Sequence, residues 1–118
     1  MFSHEKFEAY RLAIEFSEIA LRIVEQVPSG HSSLRDQLKR ASFSIALNIA
    51  EGTGKFQSPD RKRFYSIARG SAMECAAICD IAKLIDPRLE SLAEEGKQKL
   101  KSIVNILTAV CMKNVGNG

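Results

Sequence analysis

Apolar residues recur along this chain at the three- and four-residue spacing of α-helices, and the breaks between the runs carry residues that end helices. Pro28 and Gly30 form the first break, the glycine-bearing stretch 52–58 forms the second, and Asp86 with Pro87 forms the third. The pattern predicts four helices, over about residues 4–27, 33–52, 59–85 and 87–113, with Ser33 and Ser58 as N-caps. We therefore predict one all-α domain over residues 1–118, an antiparallel up-and-down four-helix bundle.

The second predicted helix carries two apolar stripes. One stripe is Leu34, Leu38, Ala41, Ile45 and Ile49, and the other is Phe43, Leu47 and Ala50. The polar residues between them are Gln37, Arg40, Ser44 and Glu51. A polar stripe with apolar residues on both sides is predicted to be at least half buried, where its groups need hydrogen-bond partners and fix one packing.

Helices one and three also carry more apolar surface than one bundle core covers. In helix one, a stripe that includes Ile14 and Leu21 stands beside a stripe that includes Phe16 and Ile23. In helix three the predicted inward face is Phe64, Ile67, Ser71, Cys75, Ile78, Ala82 and Ile85, and the far side is small or apolar, with Ala72, Met73, Ala76, Ala77 and Leu84. Patches of this size mark partner surfaces, so we predict a closed homo-oligomer built on helices one, two and three.

The polar stripe has a predicted counterpart in helix three. Arg40 is positioned to pair with Glu74 or with Glu51, and Asn48 to bridge to a helix end. We interpret this set as a hydrogen-bond network that fixes the register of the helices, either within or between subunits. The alternative is a buried acid pair, Glu51 with Glu74, that performs catalysis.

The composition of the chain is typical of a globular protein with free cysteines. The 118 residues are 45% hydrophobic and 26% charged, as expected of one globular domain. No apolar run approaches the roughly 20 residues that span a bilayer, and the N-terminal segment does not resemble a secretory signal. The three cysteines are Cys75, Cys79 and Cys111, an odd number inside helical patterns. We expect free thiols, a cytoplasmic protein and no contact with a membrane.

Basic residues concentrate around the second break. The net charge of the whole chain is only +3, yet the segment 35–63 alone carries seven cations and three carboxylates. The candidate phosphate-binding residues are Arg35, Lys39, Lys55, Arg61, Lys62 and Arg63. Repeated around an oligomer, they predict a basic belt that binds RNA or DNA without reading bases. The alternative is an ordinary solvated helix start.

The sequence contains no pattern that indicates catalysis or a cofactor. The two histidines, His4 and His31, are far from any Glu-x-x-His pair of the kind that binds two metal ions in helix bundles. Cys75 and Cys79 lack a second pair of ligands. Gly52 and Gly54 are not in a strand-loop-helix context. We expect no metal, no cofactor and no enzymatic activity.

Two blocks of the sequence resemble a known family. They are Ser44 followed by Asn48-Ile49-Ala50-Glu51-Gly52, and Ala68-Arg69-Gly70-Ser71 followed by Glu74. With the Gln37-Leu38-Lys39-Arg40-Ala41 run they are similar to the four-helix bundle proteins first noticed as reading frames within intervening sequences of bacterial large-subunit ribosomal RNA genes. The similarity extends from about Phe7 to Lys113.

The resemblance implies a ring-like homopentamer without established catalytic activity. It also implies kinship with the accessory protein of diversity-generating retroelements, a basic pentameric barrel that binds nucleic acid and a reverse transcriptase. The residues at the signature positions, expected to serve buried polar contacts and assembly, are Gln37, Arg40, Ser44, Asn48, Glu51, Gly52, Gly70, Ser71 and Glu74. We expect a non-enzymatic oligomeric interaction module that binds RNA or DNA non-specifically, or alternatively a protein-binding scaffold ring that binds no nucleic acid.

Overall fold

The computed structural model describes residues 1–113 and confirms a four-helix, all-α bundle. The helices are α1 (Glu8–Gln26), α2 (Ser32–Thr53), α3 (Ser58–Ile85) and α4 (Glu90–Met112), with short 3₁₀ turns at Ser3–Lys6 and Pro87–Leu89. Each helix packs against the next one in the chain, and α1 also packs against α4. The four helices therefore occupy the corners of a square in chain order, in a body of 49 × 27 × 21 Å.

On α1, α2 and α4, one apolar stripe of each helix packs into the core. The first stripe of α2 is in the core with Leu38, Ile45 and Ile49 fully buried. On α1 the stripe that includes Phe16 and Ile23 is buried, whereas the other stripe remains at the surface. On α4 the buried residues are Ala93, Gly96, Leu100, Ile103 and Leu107, as the amphipathic pattern indicates.

The predicted inward face of α3 is wrong in part. Phe64 and Ser71 are only half-buried and Ile67 is exposed, whereas Tyr65, Ala68 and Ala72 point into the core. Both sides of this helix are apolar, so periodicity alone does not decide which side packs inward. Small residues let helices approach closely, and the bundle uses them on its inside. The larger side chains are left on the outside, where Ile67, Met73, Ile81 and Leu84 are exposed.

The first predicted helix, 4–27, is two elements in the structure. The 3₁₀ turn Ser3–Lys6 ends at Phe7, whose extended backbone (φ −81°, ψ 123°) precedes the start of α1. The carbonyl of Phe7 accepts from the backbone N–H groups of Tyr10 and Arg11 at 3.0 and 3.2 Å. Its ring packs at 5.7 Å from that of Tyr65. This aromatic contact attaches the N-terminal turn to α3.

The helices α2 and α3 each begin one residue before the predicted start, whereas α4 begins three residues after it, behind a 3₁₀ turn. Ser33 and Ser58 are not N-caps, because α2 begins at Ser32 after His31 and α3 begins at Ser58 itself. The Ser33 hydroxyl instead accepts a hydrogen bond from Gln37 Nε2 at 3.1 Å.

Within residues 1–113, no helix is both long and apolar enough to cross a membrane.

The predicted break at Asp86 and Pro87 has a defined structural cause. The Asp86 carboxylate accepts from the backbone N–H of Arg88 at 3.0 Å and from the Arg88 guanidinium at 2.8 Å. These hydrogen bonds cap the 3₁₀ turn before α4 and hold the pKa of Asp86 below its ordinary value.

Candidate assembly and nucleic-acid surfaces

A network of side chains joins the polar stripe of α2 to α3. The Ser44 and Ser71 hydroxyls lie 2.9 Å apart, and Asn48 Nδ2 donates to the Ser44 carbonyl at 2.9 Å and to its hydroxyl at 3.0 Å. All three side chains are half-buried. Only the Ser44–Ser71 contact crosses to α3 and fixes its register against α2. The prediction that Asn48 bridges to a helix end is wrong, because both of its hydrogen bonds stay within α2.

Of the two acids predicted as partners of Arg40, the structure selects Glu74. Arg40 Nη2 lies 2.7 Å from Glu74 Oε2, whereas Glu51 pairs with Lys55 at 3.1 Å. In a single chain the Arg40 side chain is 64% exposed and that of Glu74 38% exposed. Gln37 and Glu51 are exposed as well. Within one chain the predicted burial of the stripe is therefore confirmed for Ser44 and is wrong for Gln37, Arg40 and Glu51.

Gly52 provides a close approach between α2 and α3. A Cβ atom at this position would lie 2.9 Å from the Tyr65 ring and 3.1 Å from the Arg61 carbonyl oxygen. The ring is held in place because the Tyr65 hydroxyl lies 2.8 Å from Thr53 Oγ1, which donates to the Ile49 carbonyl. The signature glycine at this position therefore has a steric role.

The structure does not bring all the candidate basic residues together. Arg35 lies near the start of α2, where its Nη1 donates to the carbonyls of Val27 and Pro28 at 2.9 and 3.1 Å. It thereby closes the connection between α1 and α2. Lys39 follows one turn later, so both residues are separated from Lys55 by most of the length of α2, which is about 33 Å. We remove Arg35 and Lys39 from the candidate phosphate-binding set.

The other four candidates, Lys55, Arg61, Lys62 and Arg63, lie together where α2 ends and α3 begins; we call them the basic end. Arg61 Nε donates to the Lys55 carbonyl at 2.5 Å, which fixes the connection 54–57. The charged groups of Lys55 and Arg63 lie 5.2 and 5.0 Å from the centroid of the Phe64 ring. Four cations therefore share one end of the bundle.

An apolar groove runs between α1 and α2. Its walls include Tyr10 and Ile14 from α1 and Phe43 and Leu47 from α2, and it encloses about 500 Å³. Leu47 faces outward from the middle of α2, and its side chain is 67% exposed. We call this surface the α1–α2 groove. It contains the second apolar stripe of α2 and the Ile14 portion of the second stripe of α1.

A second apolar surface follows the outer side of α3. Its residues are Ile67, Gly70, Ala77, Ile81 and Leu84, which we call the α3 outer face; all are exposed. A Cβ atom on Gly70 would have nothing within 4 Å. Glycine inside a helix costs about 1 kcal/mol relative to alanine. Among residues 1–113 nothing requires that cost at Gly70, whereas close approach by a second helix would.

Cys75 and Cys79 are buried in the core, whereas Cys111 is half-buried, with its Sγ 3.9 Å from the Lys62 carbonyl oxygen. Burial raises the pKa of the Cys79 thiol to about 12, and that of Cys75 is raised further by the same cause. Both thiols are therefore protonated at neutral pH, the form that is neither nucleophile nor metal ligand. Within residues 1–113 no three His, Cys, Asp or Glu side chains are arranged to hold a metal ion.

Sequence reasoning missed the aromatic side chains at the basic end. Phe2, His4 and Phe56 line a cavity of about 320 Å³ together with Lys55 and Arg61. Phe56 lies in a connection, where helical periodicity says nothing about its surroundings. The signal that could have identified it is an aromatic residue directly after Lys55 in an otherwise polar turn.

Comparison with known proteins identifies one family. The family model described as 23S rRNA-intervening sequence protein matches residues 5–109, which is nearly the whole described chain. No curated protein matches the chain.

Proposed function

The chain belongs to the 23S rRNA-intervening sequence protein family, and from this premise we propose that it is a non-enzymatic, self-assembling interaction module. In this proposal other copies of the chain cover its apolar surfaces. The basic end, repeated around the assembly, binds the phosphates of RNA or DNA. The protein works in the cytoplasm, where its cysteines remain free thiols.

The observation that carries the assembly is the pair of exposed apolar surfaces on a single folded bundle. Leu47 in the α1–α2 groove and Leu84 on the α3 outer face are 67% and 83% exposed, respectively. Exposed side chains of this size on neighbouring helices are typical of protein interfaces. The half-exposed Arg40–Glu74 pair lies between the two surfaces and would become buried when a second copy covers α2 and α3.

The arrangement of the helices supports a closed ring. The α1–α2 groove opens on one side of the square, and the α3 outer face leans toward α2, on the adjacent side. Because the two surfaces differ, the groove of one copy contacts the α3 outer face of the next copy. This heterologous contact repeats from copy to copy until the ring closes. If the two surfaces of one copy face directions about 90° apart, a ring of four copies closes, and at about 108° a ring of five closes. The pentamer implied by the family resemblance is therefore compatible with this geometry.

The basic end supports binding to phosphates. Between Glu51 and Arg63 four cations stand against two carboxylates, and one of those carboxylates already pairs with Lys55. One such cluster is weak by itself, but a ring presents it several times on one rim. Contacts of this kind release counterions and do not read sequence.

We expect the Lys55→Gln/Lys62→Gln variant to lose most of its affinity for RNA. Each lost phosphate contact should also reduce the slope of log affinity against log salt by about 1. The measurement is fluorescence anisotropy of a labelled RNA titrated with protein at several salt concentrations.

The matched control is Lys39→Gln/Lys101→Gln, which removes the same charge from exposed residues away from the basic end. We expect it to bind as the unmodified protein does. Equal loss in both variants would show that overall charge, and not this site, determines binding. No binding of the unmodified protein at low salt would contradict the proposal.

A protein-binding scaffold is the second candidate function. The groove between α3 and α4 supports it, with a volume of about 370 Å³ and walls that include Met73, Leu100 and Val104. Assembly without any affinity for nucleic acid would favour this candidate.

A further inference from the structure

Two phenylalanine rings at the basic end are exposed to solvent. Phe56 is 96% exposed and Phe2 is 73% exposed. Phenylalanine is usually buried, because exposing its ring to water forgoes about 1.5–3 kcal/mol of burial free energy. Both rings line the same cavity of about 320 Å³. The fold therefore exposes two aromatic rings at one cavity.

The ring of Phe2 is part of a short aromatic column. It stacks on the His4 ring with centroids 5.8 Å apart and planes at 14°. The His4 ring in turn contacts Tyr10 edge-on, at 4.6 Å and 70°. The column is therefore anchored on α1, and the Phe2 ring at its end remains exposed.

Cationic groups border the same cavity. Arg61 Nε is held by the Lys55 carbonyl, and the two terminal nitrogens of its guanidinium have no hydrogen-bond partner among residues 1–113. Lys55 Nζ lies between Glu51 and the Phe64 ring. The cavity thus combines aromatic surfaces with donors that suit phosphate oxygens.

We propose that this cavity binds unpaired nucleotides of single-stranded RNA or DNA, an inference that rests on the proposed function and specifies its ligand. Bases stack on the Phe56 and Phe2 rings, and Arg61 with Lys55 contacts the phosphates between them. A duplex cannot bind in this way, because its bases are already paired and stacked on one another. Aromatic platforms beside cations are the usual means of holding single strands without sequence preference.

The experiment compares an unstructured labelled RNA with the same strand annealed to its complement, at one salt concentration. Unmodified protein should bind the single strand more tightly. Phe56→Ala should weaken single-strand binding by about 5- to 100-fold and leave duplex binding unchanged. Phe56→Leu, which keeps an apolar side chain but removes the ring, should behave as Phe56→Ala, and Phe56→Tyr should restore binding. Light scattering checks that each variant keeps the assembled mass.

The outcomes separate this inference from the proposed function. Equal affinity for both ligands, or single-strand binding that is the same in Phe56→Ala and unmodified protein, would overturn the stacking site while phosphate binding stands. Retention of single-strand binding in Phe56→Leu would show that stacking is not the interaction. No binding to either ligand at low salt would overturn the proposed function and the stacking site together.

Discussion

In the proposed assembly, replacing both Ile67 and Ile81 by glutamate is expected to separate the copies into single folded chains of 13.1 kDa. In one chain these side chains are 47% and 49% exposed, so glutamate costs the isolated bundle little. Against a second copy, each glutamate would be an unpaired buried charge. Such a charge costs about 3–5 kcal/mol, so two of them per contact are enough to separate the copies. Light scattering after size exclusion measures the mass, and circular dichroism measures the helix content.

The control for this variant is Ser91→Glu/Ser102→Glu, which adds the same two charges to exposed positions of α4 that do not line the groove between α3 and α4. The outer side of α4 is polar and lies outside both apolar surfaces, so this variant should keep the assembled mass. If Ile67→Glu/Ile81→Glu retained the assembled mass, the α3 outer face would not be an interface between copies. Loss of helix content would instead show that these residues are needed by the chain itself.

The Gly52→Val variant is expected to lose about 1–3 kcal/mol of unfolding free energy, the usual cost of forcing extra methyl groups into a packed site. The new Cβ would lie 2.9 Å from the Tyr65 ring, which the Thr53 hydroxyl holds, and 3.1 Å from the backbone oxygen of Arg61. Because neither neighbour moves freely, α2 and α3 must separate at this end. Urea unfolding, followed by circular dichroism at one protein concentration, measures the loss.

Gly54→Val is the matched control, two residues further along and at the same end of the bundle. A Cβ atom at Gly54 would lie 3.5 Å from the Glu51 carbonyl oxygen, an ordinary contact, and the backbone there is right-handed helical. We expect a change within about 0.5 kcal/mol. Equal losses in both variants would mean that branched side chains are disfavoured along this whole connection and that the Tyr65 contact is not the cause.

The sequence was sufficient to predict the bundle because its helices end at strong signals. Asp86 and Pro87 end α3 at the predicted place, and the polar side of α4 leaves one choice for its inward face. On α3 the sequence was not sufficient. Ile67 and Ala72 are both suitable for a core, and close packing of neighbouring helices, which no local pattern encodes, places the alanine inside.

The candidate site was predictable where spacing along one helix determines it. Ser44 and Arg40 share the α3-facing side of α2, and their contacts with Ser71 and Glu74 follow. The role of Arg35 was not predictable, because its partners are the carbonyls of a turn whose path depends on tertiary packing. The surroundings of Phe56 likewise depend on how the N-terminal turn folds back onto the connection 54–57.

The most direct test of the account is the mass of the unmodified protein in solution at micromolar concentration. We propose that other copies cover the exposed surfaces of α1, α2 and α3, so light scattering should give a multiple of 13.1 kDa, five-fold for the ring implied by the family resemblance. A mass of 13.1 kDa, with the helix content intact, would show that one bundle tolerates these surfaces in water and would contradict the account.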